Sequence, residues 1–314
     1  MESVAKILKT LGHPDRLRIL ALLRRGELAV SELVTVLELS QPRVTQYIRS
    51  LEDIGLLDRL REGAWVFSRL RNTQDVRAVL TPILDVLPSD DPVLAADLAR
   101  LTKVREDRAA LADAFFTDVA NNRGQLSHEF LPQARIESQI LAAAGPGPFD
   151  YMVDLGTGSG RMLELFADRV RRGSGIDLSP DMLRVARHKL ADDRFAHLSV
   201  QQSDLSVTPL ADAVADLVMI HQVLHHLDDP QSALTEAARL LRPGGILLIA
   251  DFGLHECENF RKDFAHRRLG FEPNEINTLI RQVGLSPQTQ ITVPSETRDI
   301  PNVLIWTANK EIAA

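Results

Sequence analysis

Asp154-Leu155-Gly156-Thr157-Gly158-Ser159-Gly160 closes the apolar run Tyr151–Leu155 and opens a stretch with helical spacing. Glycines at alternate positions let the backbone approach a ligand closely, and the helix behind them offers free N–H groups. Alone, such a run occurs in nucleotide-binding loops of several kinds. Two acids further along the chain narrow the reading. Asp177 ends the next β-rich run, Ser174–Asp177, 23 residues after Asp154, where a carboxylate can accept hydrogen bonds from two ribose hydroxyls. Asp204 comes after the third run, His197–Gln201. A single Asp at a strand end is more often a cap or turn residue. Three at successive strand ends, on the edge where open α/β sheets bind ligands, point to one site.

Outward from this motif the alternation continues. Leu217–Ile220 and Ile246–Ala250 are further short apolar runs separated by helical segments, which predicts βαβ units and a mainly parallel sheet. Gln290–Val293 and Asn302–Ala308 have no helix between them and are expected as an antiparallel pair at the sheet edge. Upstream, residues 93–144 read as an amphipathic helical connector, broken by Ala144-Gly145-Pro146-Gly147-Pro148.

The cluster Pro88-Ser89-Asp90-Asp91-Pro92 separates this part from a differently patterned beginning. There, Ile7-Leu8-Leu11 and Leu17-Ile19-Leu20-Leu22-Leu23 recur at helical spacing, with Pro14 suited to a first turn and Gly26 to a stop. A second helix is expected over 30–37. A third runs from Gln41 to about Ile54, with Ser40 as N-cap, Pro42 in its first turn and Gly55 at its end. Leu57–Arg61 and Ala64–Leu70 around Glu62-Gly63 predict a hairpin, and 73–87 a last helix. Helix, helix-turn-helix, hairpin, helix is the order of a winged helix-turn-helix.

The chain has 314 residues, enough for two domains, and its 45% hydrophobic and 25% charged residues exclude wholesale disorder. No apolar run reaches the roughly 18–20 residues of a membrane span. The opening Met1-Glu2-Ser3-Val4-Ala5-Lys6 does not read as a secretory leader, so the expected location is cytoplasmic, with no membrane partner. One cysteine, Cys257, excludes an internal disulfide. The net charge of −7 is unevenly spread. Residues 1–87 hold 13 Lys and Arg against 11 Asp and Glu, whereas the remainder holds 23 against 32. Any anionic partner therefore belongs to the first quarter, where placement of a few basic groups matters more than bulk charge.

In the third helix Val44, Ile48 and Leu51 share one face and are expected in the core. Arg43, Thr45, Gln46 and Arg49 then project outward, with Gln41 at the start. Gln and Arg can read adenine and guanine bidentately, and a Thr methyl can touch a thymine methyl. Arg59, Arg61 and Arg69 on the hairpin are candidates for contacts to phosphates or the neighbouring minor groove. The plainer alternative is a solvated polar face. Leu11-Gly12-His13-Pro14-Asp15-Arg16-Leu17 with Ile19-Leu20, Gln41-Pro42 through Leu56, and Arg61-Glu62-Gly63 resemble the ArsR/SmtB winged-helix repressors over residues 1–87. The resemblance implies binding to double-stranded operator DNA as a homodimer joined through the first and last helices. It departs at the metal sites. Ala29 and Ser31 stand where thiol-type members carry Cys-x-Cys, and there is no His between Asp15 and Ser127. Metal sensing at the usual sites is not expected.

The Asp154–Gly160 motif, Asp177, Ser203-Asp204, Ala215–Leu227 and Arg239-Leu240-Leu241-Arg242-Pro243-Gly244-Gly245 resemble the class I S-adenosylmethionine-dependent methyltransferases over about residues 110–311, nearest the quinone-biosynthesis type. The overall expectation is thus an α/β multidomain chain. A mainly α winged helix-turn-helix precedes a Rossmann-like domain with a mostly parallel seven-stranded sheet. The expected boundaries are 1–87 for the DNA-binding domain, 88–149 for the connector and 150–314 for the methyltransferase domain. The resemblance implies that Asp154 with Gly156, Thr157, Gly158 and Gly160 holds the methionine end of S-adenosylmethionine or S-adenosylhomocysteine. It places Asp177 and Leu178 at the ribose, Ser203, Asp204 and Leu205 at the adenine, and His221 on the methionine side. A nicotinamide dehydrogenase is the rival for a glycine loop, but Gly-x-Gly-x-x-Gly spacing is absent.

Candidate bases are His221, His226 and His255, with His225, Glu256 and His266 behind them; a structural role for His225-His226 is the simpler reading. Arg267 and Arg268 are candidates for holding an acceptor's carboxylate or phosphate. Adjacent His255-Glu256-Cys257 without a second pair does not suggest a metal, and none is expected. The motifs of amino-group DNA methylation and the Pro-Cys of cytosine C5 chemistry are missing, and one cysteine is too few for arsenite methylation. Two functions remain. One is a regulator whose DNA binding responds to the cofactor. The alternative is an active small-molecule methyltransferase, its acceptor unnamed, in which the winged helix dimerises or targets the enzyme.

Overall fold

The computed structural model describes residues 2–312 apart from 63–64, 72, 89, 124–132, 259, 261–265 and 296–300; within helices and strands, the side chains of 2–4, 60–62, 65, 74 and 108–123 are left aside. Packing divides the chain into two units, residues 1–112 with 187–199, and residues 113–186 with 200–314. One cut, between residues 112 and 113, lies in the helical stretch after Pro92, and the other two set residues 187–199 with the first unit.

The first unit begins with α1 (Glu2–Leu11), α2 (Pro14–Leu23), β1 (Leu28–Ala29), α3 (Val30–Leu37) and α4 (Gln41–Glu52). Next come β2 (Leu57–Glu62), β3 (Trp65–Leu70), α5 (Gln74–Asp85) and α6 (Pro92–Arg123), the last crossing the division. Ile19, Leu20, Leu33, Val36, Val44, Ile48, Leu51, Leu56 and Leu57 form its core, each almost fully buried. Burying each such side chain stabilises the fold by about 1.5–3 kcal/mol. Glu38 (φ 55°) turns the chain between α3 and α4. Ser40 holds the N-cap position without a side-chain hydrogen bond, so Pro42 sets the start of α4 instead. The wing has three strands in the order β1-β3-β2, because Leu28 and Ala29 pair with Ser68 and Phe67. The hairpin β2–β3 matches expectation, whereas a two-residue strand is too short to show periodicity. Within this unit Asp97 on α6 takes a bidentate bond from Arg18 on α2, both distances 2.7 Å.

In the second unit α7 (Gln133–Ala144) precedes β4 (Met152–Leu155), α8 (Arg161–Phe166), β5 (Gly173–Asp177) and α9 (Pro180–Lys189). β6 (Leu198–Gln202), which like α9 crosses the division, β7 (Ala215–His221), α10 (Pro230–Leu240), β8 (Leu241–Phe252), α11 (Pro273–Gln282), β9 (Leu285–Val293) and β10 (Val303–Lys310) complete the chain. The sheet runs β6-β5-β4-β7-β8-β10-β9. β4 is parallel to β5 and β7, and β7 to β8, while β10 is antiparallel to β8 and β9. The order therefore reverses at β4, which puts the glycine loop at the topological switch point where such sheets bind ligands. β8 and β9 begin earlier than expected, at Leu241 and Leu285, since their first residues lack apolar alternation. No helix among the described residues is long and apolar enough to cross a membrane.

Candidate functional site

The loop after β4 is a cradle built by backbone geometry. Gly156, Gly158 and Gly160 have φ of 76°, 51° and 77°, a region that side chains disfavour. The N–H groups of Gly156 and Thr157 both donate to the Ile176 carbonyl, at 2.7 and 2.9 Å, fixing the loop against β5. A Cβ on Gly156 would lie 2.3 Å from a Val223 methyl, so alanine there would displace the turn after β7.

Asp154 is 1% exposed. Its Oδ2 accepts the Thr157 hydroxyl at 2.6 Å, and its Oδ1 is buried without a hydrogen-bond partner among the described residues. Burial pushes the carboxyl up to about 7, Thr157 opposes that, and the nearby Asp177 charge adds to it. Asp177, half-buried at the end of β5, accepts the N–H of Gly158 and that of Ser179, both at 2.8 Å. The two acids are thus joined through the glycine loop. Leu178 beside Asp177 is 66% exposed.

Ser203 and Asp204 engage their own turn. Asp204 is exposed and accepts the N–H and hydroxyl of Ser206, which hold its carboxyl below the usual range. The Ser203 hydroxyl donates to the Asp204 and Val207 carbonyls, each at 3.2 Å. Leu205 packs on the sheet core. One contributor escaped the sequence reading. Gly175 in β5 has room for Thr157 because a Cβ there would meet the Thr157 hydroxyl at 2.5 Å. The signal was a glycine inside a strand.

Among the candidate bases, His221 is half-buried at the end of β7, on the strand end neighbouring β4. His255, half-buried, accepts the Cys257 N–H on Nδ1 at 3.2 Å. His226 lies in the short helical turn Leu224–His226 together with His225. His225 is buried, with Nδ1 2.6 Å from Asp251 Oδ1. Burial pushes Asp251 up, but the charge and hydrogen bond of His225 and the N–H groups of Phe252 and Leu224 bring it below the usual range. Glu256 is exposed. Arg267 and Arg268 pair with Asp228 and Glu275, charges invisible as partners before folding.

In the first unit Val44, Ile48 and Leu51 are buried, which turns Gln41, Thr45, Gln46 and Arg49 outward. With Pro42, Ser50 and Asp53 these line a shallow groove of about 580 Å³. Arg43 lies back along α4, its Nε donating to the Tyr47 hydroxyl at 2.9 Å and its Nη2 3.4 Å from Asp15. The Tyr47 hydroxyl also reaches His13 Nε2 and Asp15, both at 3.2 Å, which ties the recognition helix to the start of α2. Arg59 pairs with Glu52 at 3.1 Å. The Arg61 side chain lies outside the described residues.

Residues 13–59 match the bacterial regulatory protein arsR family, and residues 153–249 match a methyltransferase domain. The chain joins an arsR-type helix-turn-helix to a methyltransferase domain. The helix-turn-helix side is 38% identical over 76 residues to a biofilm growth-associated repressor of Agrobacterium fabrum, covering 24% of this chain and 65% of the repressor. The methyltransferase side is 30% identical over 118 residues to malonyl-[acyl-carrier protein] O-methyltransferase of Serratia marcescens, covering 38% of this chain and 44% of that enzyme. The chain thus matches less than two thirds of either relative's length. The N-methyltransferase NodS of Bradyrhizobium japonicum, solved with S-adenosyl-L-homocysteine, shares the fold with a TM-score of 0.51. That match has 18% identity and covers 64% of this chain and 98% of NodS.

Proposed function

We propose that the protein is a DNA-binding regulator whose methyltransferase domain holds S-adenosylmethionine or S-adenosylhomocysteine, and whose affinity for its operator depends on which is bound. The observation that carries this is the cofactor cradle: an orphaned buried carboxylate oxygen on Asp154 beside three left-handed glycines, in a chain whose helix-turn-helix lacks the cysteines and histidines of metal sensing. Asp154 and the glycine loop hold the methionine end, Asp177 with Leu178 the ribose, and Ser203, Asp204 and Leu205 the adenine. Gln41, Thr45, Gln46 and Arg49 read the major groove of double-stranded DNA. Arg43, Arg59 and Arg61 contact phosphates once Arg43 exchanges Tyr47 and Asp15 for the backbone. Two copies of the chain, joined through α1 and α5, match a two-fold operator.

The test is fluorescence anisotropy on a fragment upstream of the protein's own gene, at one fixed salt concentration, with no ligand and with each cofactor form. The expected result is a shift of at least about tenfold between them, some 1.4 kcal/mol, within the usual range of coupling between sites. Equal affinity in all three conditions overturns the reading. In the same assay Arg49→Ala weakens operator binding by about 1–3 kcal/mol and relaxes preference at one base pair, whereas Arg59→Ala weakens all sequences alike.

A second reading, methyl transfer to a small acceptor, is supported by the position of His221. Bound S-adenosylmethionine supplies a methyl group already activated on a sulfonium. The protein then orients the acceptor and removes water, and His221 at the end of β7 takes the acceptor's proton where it has one. Transfer of labelled methyl to an extract component, lost in His221→Ala even at saturating cofactor, distinguishes this activity from sensing alone.

A further inference from the structure

Three histidines share one small volume beyond the ends of β7 and β8. His225 and His226 come from the turn after β7, and His266 from the segment before α11. The ring centres of His225 and His266 are 3.9 Å apart, those of His225 and His226 4.1 Å, and those of His226 and His266 5.1 Å. One nitrogen from each ring lies within 4.8 Å of the others. We propose that His225, His226 and His266 form a binding site for one divalent transition-metal ion of the zinc, cobalt and nickel class.

Ligands about 2.0–2.1 Å from a tetrahedral ion sit roughly 3.4 Å apart, so small ring rotations close the site. His225 is already aimed. Asp251 takes its Nδ1 at 2.6 Å and leaves Nε2 for an ion, the carboxylate–histidine arrangement found behind metal ligands. Asp251 is fully buried and fixed in turn by the N–H groups of Leu224 at 2.9 Å and Phe252 at 2.8 Å. The main-chain N–H groups of Arg267 and Arg268 donate to the His225 carbonyl at 3.0 and 3.1 Å. Those bonds tie the segment carrying His266 to the turn carrying His225, so the ligands are brought together by the fold.

Phe252 and Phe260 wall the cluster on the inner side, 5.4 and 5.1 Å from the His266 ring. His226 is exposed and gives the ion a way in. Three protein ligands leave a fourth position for water or an acceptor's oxygen, as in metal sites that bind substrate. The histidine cluster does not depend on the cofactor reading.

The test uses the full, untagged chain, stripped with a chelator and titrated with Zn²⁺ and Co²⁺. The expected result is one ion per chain, with the visible absorption of tetrahedral Co²⁺. His226→Ala and His266→Ala each abolish that absorption, Asp251→Asn weakens binding about 10–100-fold, and His188→Ala outside the cluster leaves it intact. His226→Ala is at the surface and keeps the test decisive should His266→Ala fail to fold. Absence of binding overturns the proposal. So does a bound ion whose affinity is the same in His226→Ala as in the unaltered chain.

Discussion

Asp177→Ala lowers affinity for S-adenosylmethionine about a hundredfold in calorimetry, close to 3 kcal/mol, and leaves DNA affinity without cofactor unchanged. The carboxylate spends one lone pair on each of two N–H groups, those of Gly158 and Ser179. Its remaining lone pairs are the acceptors for the ribose hydroxyls, and hydrogen bonds to a charged group contribute about 1.5–3 kcal/mol each. Alanine removes those acceptors and also releases the loop holding Gly158. Asn keeps one acceptor oxygen but not the charge, so Asp177→Asn falls between the two, about tenfold down. If the regulator reading holds, the cofactor concentration that shifts DNA binding rises by the same factor as the dissociation constant. A variant that binds the cofactor normally would place the ribose elsewhere.

The glycine loop and the recognition helix were legible before folding because they depend on local chemistry. A glycine at every second position after an apolar run predicts a strand, a tight turn and a helix. Val44, Ile48 and Leu51 predict their own burial by spacing, and the fold buries all three. The seven main strands were each recognised, with errors confined to ends such as Leu241 and Leu285, where exposed residues break the alternation. What sequence could not reveal is partnership across long separations. Nothing local pairs Arg267 with Asp228, or sets His266 against His225 some forty positions earlier. The same holds for Gly175, whose missing side chain matters only because Thr157 arrives beside it. Arg43 was read as facing outward from its helical position, and that position is right. Its guanidinium nevertheless folds back on Tyr47, because a hydroxyl one turn away is an available partner in the free protein.

Cofactor affinity rises with pH up to neutrality and then levels off. Asp154 controls this through its carboxyl, which burial raises to about 7, with Thr157 opposing and the Asp177 charge assisting. The methionine end of the cofactor brings an ammonium group, which the ionised carboxylate attracts and the protonated one does not. Below pH 7 the free protein holds a proton that binding must expel, so affinity falls about tenfold for each pH unit. Calorimetry at about pH 6 in buffers of different ionisation enthalpy therefore finds close to one proton released per cofactor bound. The unliganded protein shows the opposite trend in stability. Its folded carboxyl titrates above the 3.8 of the ordinary side chain, so folding takes up a proton between those values. This group's contribution is complete below the ordinary value and is lost as pH rises through 7. Asp154→Asn removes both trends: thermal stability no longer falls as pH rises from the ordinary carboxylate range towards 7, and cofactor affinity becomes flat with pH at a level below that of the unaltered protein at about pH 8. Retention of the slope in Asp154→Asn would assign the titration to another group.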